Sequence, residues 1–106
     1  MKTQLPDDIT VKELQKYIWQ MNIDRGFNTE NPSEKMVLLI EEVGELAKAI
    51  RQVIGLKCDD ETKRTELSHE LADVQIVLLG LASMLDIDMV EAVREKEERN
   101  QKRKWK

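Results

Sequence analysis

Glu41-Glu42-x-x-Glu45 and Glu70-x-x-Asp73 place five carboxylates in two short clusters, on stretches that otherwise read as core-forming helix. Met36-Val37-Leu38-Leu39-Ile40 runs straight into the first cluster, and Val74, Ile76, Val77, Leu78 and Leu79 follow the second. Charges that emerge from apolar surface without partners cost on the order of several kcal/mol each. A compensating positive charge is required, and the sequence offers few cations at matching positions. A hard divalent ion, Mg²⁺ or Mn²⁺, supplies it, because such ions take carboxylate oxygens and keep several waters for a phosphate-bearing substrate. Residues three apart on an α-helix lie about 60° apart around the axis and share a face. Glu42/Glu45 and Glu70/Asp73 are two such pairs. If their helices pack antiparallel, all four become ligands of one pocket. Glu41, about 100° from Glu42, flanks that pocket and can orient a ligand or a water without necessarily being a ligand itself.

The elements that must position these acids read as four helices. Thr10-x-x-Glu13 resembles a capping box that opens a helix through about Arg25, with Leu14, Tyr17, Ile18 and Met21 at helical spacing. Gly26 to Asn31 reads as a loop. Asn31-Pro32-Ser33-Glu34 starts a second helix with a side-chain cap, a proline in the first turn and an acid soon after; it should run to about Ile54 and stop at Gly55. Asp59 or Asp60 can cap a third helix through about Leu85, and Asp88-x-x-Glu91 opens a fourth. No β-hairpin signal or internal repeat interrupts the pattern. The fold expected is all-α: a single four-helix bundle-like domain over residues 1–106, with residues 1–9 and the basic tail 99–106 as flexible flanks. The second and third helices are apolar over most of their circumference, more than one partner helix can cover. A homodimer or a dimer of dimers is the expected remedy.

Composition narrows the function. Hydrophobic residues make up 41% of the 106-residue chain, charged residues 36% and aromatics 4%, which suits a soluble helical protein rather than disorder. Lone Cys58, read as a loop or near-loop residue, excludes an intramolecular disulfide and fits a reducing cytoplasm. The N-terminus has no apolar signal core, and no apolar run approaches the roughly 20 residues of a membrane span. The net charge of −4 is unevenly spread: Arg99, Lys102, Arg103, Lys104 and Lys106 crowd the tail, leaving an acidic body. An acidic body argues against a stable nucleic-acid partner. The tail could attract phosphates, or it could be a helix end favoured by its macrodipole.

Ile40-Glu41-Glu42-Val43-Gly44-Glu45-Leu46-Ala47, with Glu70-Leu71-Ala72-Asp73-Val74 further on, closely resembles the MazG-like all-α nucleoside triphosphate pyrophosphohydrolases. The likeness extends over roughly residues 15 to 103, including Arg25-Gly26-Phe27 and Lys96-x-x-x-Asn100. It implies Mg²⁺-dependent cleavage of a nucleoside triphosphate between its α and β phosphates, releasing a monophosphate and pyrophosphate. Dimers or tetramers and removal of aberrant or surplus nucleotides are implied with it. Carried over by position, Glu42, Glu45, Glu70 and Asp73 are the metal ligands. Glu41 is a helper or a ligand of a further metal, so Glu41, Glu42 and Glu45 form the catalytic group. Which carboxylate accepts the water's proton stays open.

Lys96, Arg99, Asn100 and Arg103 form one stripe of the fourth helix. Lys96 and Asn100 gain from the family likeness as holders of the phosphates or sugar, whereas Arg99 and Arg103 fit a solvated face. Trp19 and Phe27 can stack a nucleobase, since aromatic faces bind bases with little sequence demand. Each could equally be core or interface. Lys48 reads as a salt-bridge neighbour of Glu45, His69 as a surface or interface residue, and Trp105 as an end-of-helix packing residue. Two other classes compete. A di-iron or di-manganese bundle would use Glu66-Leu67-Ser68-His69, but leaves Glu42, Glu45 and Asp73 unexplained. A non-enzymatic helical interaction module would have no need of five intact acids. Phosphoribosyl-ATP is a lesser substrate option.

Overall fold

The computed structural model describes residues 5–54 and 61–103, with the side chains of residues 61 and 62 excepted. The elements are helix α1 (Val11–Asp24), a 3₁₀ turn (Phe27–Thr29), and helices α2 (Pro32–Ile54), α3 (Glu61–Met84) and α4 (Met89–Lys102). Among the described residues there is no strand, as an all-α domain requires. The expected Gly55 stop, the Asp59 or Asp60 cap, Cys58 and Trp105 all lie outside the described residues.

Local chemistry sets the helix starts. Thr10 and Glu13 form a reciprocal capping box: the Glu13 amide donates to the Thr10 hydroxyl at 3.1 Å, and the Thr10 amide donates to Glu13 Oε1 at 3.2 Å. These bonds hold the Glu13 carboxyl below its ordinary pKa, the side-chain bond to Thr10 being the largest cause. Asn31 and Glu34 repeat the arrangement at α2, at 2.8 and 3.3 Å. Asp88 caps α4 by accepting from the amides of Val90 and Glu91. Those backbone donors lower its pKa, the Glu91 amide foremost.

Tight turns do the rest. Gly26, at φ 77, takes the left-handed position that ends α1 and is freely open only to glycine. Between α3 and α4, Asp86 adopts φ 58, the Ile87 amide donates to the Ala82 carbonyl at 2.9 Å, and the Asp86 amide donates to Ser83 at 3.0 Å. This is a Schellman end built without glycine. It makes the connection short enough for Asp88 to start α4 at once.

Helices α2 and α3 form the main pair. Glu42 meets Glu70 and Asp73, while Glu45, Ala49 and Gln52 share a recess with Glu66 and Glu70. Numbers rise along one helix as they fall along the other, so the pair is antiparallel. Helix α1 crosses the C-terminal half of α3, burying Ile18 with Leu79 and Ala82, and α4 packs chiefly on α1. Gln15 clasps three elements: its amide donates to Ser83 Oγ and to the Ile87 carbonyl at 2.8 Å, and its oxygen accepts from the Met89 amide at 3.0 Å. Lys12 pairs with Asp88 at 3.7 Å across the same corner.

Fully buried apolar residues among those described are few, and the outer faces of α2 and α3 stay open, with Val37 57%, Ile40 59% and Leu71 53% exposed. Over Lys63–Met84, α3 is long and apolar enough for a membrane span by length and composition, at a mean hydropathy of 1.2. That qualifies the sequence reading, which found no apolar run of this length. Glu66, Glu70 and Asp73 interrupt the stretch and turn toward α2, as suits a helix packed against protein. Replacing Gln15 by Leu strands the Met89 amide and the Ile87 carbonyl, and should cost about 1–3 kcal/mol. Urea unfolding checks this; an unchanged midpoint would remove the clasp.

Candidate metal and nucleotide site

Glu42 lies midway along α2, and Glu70 and Asp73 lie one helical turn apart on α3. Each offers an oxygen within 4.8 Å of the others. Glu42 and Glu70 are half-buried and Asp73 is exposed, so the cluster sits at the rim of the helix pair. Oxygens of one Mg²⁺ shell lie at most about 4.2 Å apart, so small side-chain rotations would complete a shared shell. Among the described residues, no ion pair neutralises any of the five acids. The carboxyl of Glu42 is pushed above its ordinary pKa, first by desolvation, then by the charges of Asp73, Glu70, Glu45 and Glu41. Oxygen-only donors, converging geometry and uncompensated negative charge all fit a hard divalent cation.

Glu45 stands outside the triad. It is exposed, one turn beyond Glu42, and lines the recess with Lys48 and Glu66, near enough to raise the Glu42 pKa. Lys48 shares that recess but forms no ion pair with Glu45. Glu41 is exposed beside the triad. His69 is exposed and does not join the acids, so the Glu66/His69 pattern of a di-metal bundle does not assemble within the described residues of this chain.

The candidate substrate residues are more dispersed. Trp19 is half-buried and lines a cavity of about 370 Å³ with Lys12, Gln15, Lys16 and the turn before α4. That cavity lies toward the C-terminal end of α3, whose Ser83 is about 15 Å along the axis from Asp73. Phe27, on the 3₁₀ turn, is 47% exposed. Lys96 is exposed and Asn100 half-buried on α4, an element docked mainly on α1. The chain thus brings three of its acids together and leaves the phosphate- and base-binding candidates on separate elements.

Besides Gln15, two buried polar residues escaped the sequence reading. Lys35, 4% exposed, pairs with Glu30 at 3.7 Å. It lies two turns before Glu42 on the same α2 face, and that seven-residue spacing was the available signal. Asn22, 5% exposed, packs on α3. Its signal was a polar side chain on the apolar stripe of α1.

Converging acids on two antiparallel helices, in a domain with no strand among the described residues, suit a metal-dependent hydrolase of phosphate anhydrides, and comparison with known proteins supplies the family. Residues 30–106 match the MazG nucleotide pyrophosphohydrolase domain, and the chain belongs to that family. It is similar to a dATP/dGTP diphosphohydrolase of Cyanophage S-2L, at 35% identity over 91% of this chain and 78% of the phage protein. It is also similar to the uncharacterized protein YpjD of Bacillus subtilis (strain 168), at 36% identity over 80% and 78% of the two chains. The protein is therefore a nucleoside triphosphate pyrophosphohydrolase.

The raised pKa of Glu42 has a stability consequence. A carboxyl whose folded pKa exceeds its unfolded value favours the fold when protonated, so its ionisation destabilises the apo protein above the folded pKa, and the penalty fades as pH falls through that value. Glu42→Gln should therefore melt higher than wild type without metal at pH 8, with the gap narrowing toward pH 4. Paired thermal scans in chelator check it; a gap that widens in acid would contradict the assignment.

Proposed function

We propose that the protein hydrolyses ribo- or deoxyribonucleoside triphosphates between the α and β phosphates with Mg²⁺, or Mn²⁺, held by Glu42, Glu45, Glu70 and Asp73. Products are a nucleoside monophosphate and pyrophosphate, and the role is cytoplasmic clearance of surplus or aberrant nucleotides. The observation that carries this reading is the triad of carboxylate oxygens within 4.8 Å, with no counter-cation among the described residues. A divalent ion bound there supplies charge neutralisation of phosphate oxygens and acidifies coordinated water.

The chain's own residues supply the rest. Glu41 and Glu45, at the margin of the triad, are suited to orient the attacking water or take its proton. Trp19 and Phe27 present faces for the base. Lys96 and Asn100 are assigned to the leaving pyrophosphate, where a cation and an amide donor stabilise developing charge.

The reading includes a homodimer or dimer of dimers. The chain exposes 8691 Å², against roughly 6,100 Å² for a compact monomer of its mass. Its radius of gyration is 16.4 Å, against about 13 Å for a compact chain of this length. Val37, Ile40, Val43 and Leu71 sit on the open faces of the main helix pair, so a second copy laid on α2 and α3 would cover what α1 leaves bare. Light scattering should give at least a dimer at micromolar concentration, and a stable monomer would sink this part.

Regiochemistry tests the central claim. Hydrolysis in ¹⁸O-labelled water should place the label in the monophosphate, with pyrophosphate released unlabelled. Glu42→Gln and Asp73→Asn should each lower turnover at saturating Mg²⁺ by at least about 100-fold, the scale lost with a transition-state electrostatic contact. Label in pyrophosphate, or orthophosphate as first product, would overturn the reaction; unchanged turnover in both variants would overturn the ligand assignment.

A further inference from the structure

The recess beside the acid triad extends in one direction only along the main helix pair. Glu45, Lys48, Ala49, Gln52, Glu66 and Glu70 line about 180 Å³, and Glu70 is shared with the triad. Glu66 stands seven residues before Asp73 on α3, about 10.5 Å along the axis toward its N-terminal end. The cavity that holds Trp19 lies the opposite way, at Ser83 toward the C-terminal end of the same helix. A nucleotide whose α phosphate meets the triad and whose base turns toward Trp19 must therefore send its β and γ phosphates toward Glu66. Carboxylates crowd that end and repel a phosphate tail. A divalent ion offsets the acids that hold it, but Glu66 lies outside the proposed ligand set. A terminal phosphate carries about two negative charges near neutral pH, so the tail requires a further cation there.

Lys48 is the one cation that lines the recess among the described residues. It is exposed and forms no ion pair with the acids around it, so the salt bridge to Glu45 expected from the sequence does not occupy its charge. Lys48 comes one turn after Glu45 and two turns after Glu41, and the three share one flank of α2. Long side chains on a helix lean toward its N-terminus and cover the preceding turn. The Lys48 stem is thereby directed back toward Glu45 and the triad. Its ammonium is a compact charge with three donors, suited to the oxygens of a terminal phosphate. Lys96 and Asn100, by contrast, lie on α4, which docks chiefly on α1. Lys48 adds to them a cation on the helix pair that carries the acids.

We infer that Lys48 binds the terminal phosphate of the substrate and sets the preference for a triphosphate over a diphosphate tail. This rests on the pyrophosphohydrolase reading above and adds the residue that reads the length of the phosphate chain.

The test measures, with Mg²⁺ present, dissociation constants for α,β-methylene analogues of the four deoxynucleoside triphosphates and of the matching diphosphates, which the proposed reaction cannot cleave. Wild type should bind each triphosphate analogue more tightly than its diphosphate. Lys48→Ala should cut that preference about 5- to 20-fold, the scale of one charge-assisted contact discounted for exposure to solvent. Lys48→Arg should retain most of it. Arg51→Ala removes an equal charge from an exposed side chain that borders the next hollow but does not line the recess, and should leave the preference at its wild-type value. A ratio between two ligands of one protein cancels any general loss of fold. Unchanged preference in Lys48→Ala, an equal fall in Arg51→Ala, or no preference in wild type overturns the inference. These analogues are read without turnover, whereas labelling in ¹⁸O water reads the reaction, so failure of the reaction assignment is distinguishable from failure of this contact.

Discussion

Mutual repulsion among Glu42, Glu70 and Asp73 is the constraint around which this small domain is organised. Three carboxylate oxygens within 4.8 Å, on helices whose surroundings partly desolvate them, oppose the packing that brings them together. A stability-optimised interface would place leucines at these positions. The pair survives because α2 and α3 are long, at 23 and 24 residues, and make contacts well beyond the acids. Length provides the stability that local charge removes, and a cation held there would offset the remaining repulsion.

The same economy explains the exposed surface. A chain of 106 residues that commits its two longest helices to a charged centre has little left to surround them. Helix α1 covers only the C-terminal half of α3, and α4 is spent on α1. The apolar outer faces of α2 and α3 are then a consequence of the site rather than an accident of composition. On the proposed reading, a second copy laid on those faces would let so small a domain keep both a repulsive centre and a stable fold.

Helix boundaries were the most legible feature, for a local reason. The Thr10/Glu13 and Asn31/Glu34 boxes and the Asp88 cap are chemistry between residues at most three apart, so spacing alone reveals them. The meeting of Glu70 and Asp73 was legible because residues three apart on a helix share a face; the same rule paired Glu45 with Glu42, and Glu45 stands outside the triad. Placement of Trp19, Phe27, Lys96 and Asn100 was not, because it depends on helix crossing and on where α4 docks. Gln15 shows the difficulty: the bonds that fix α4 to α1 span 68 to 74 residues of sequence, and no local pattern announces them. The sharp turn at Asp86 was hidden too, since a left-handed residue there would ordinarily be sought as glycine.

Division of labour between the two layers follows from these contacts. On the proposed reading, the α2–α3 pair carries the acids that meet the polyphosphate chain. Helix α1 instead touches α3 beyond the triad, at Gly80 and Ser83. Gln15 places its amide group in three hydrogen bonds within the fold, and so sets how α1 and the start of α4 meet α3 without adding a charge to the acid centre.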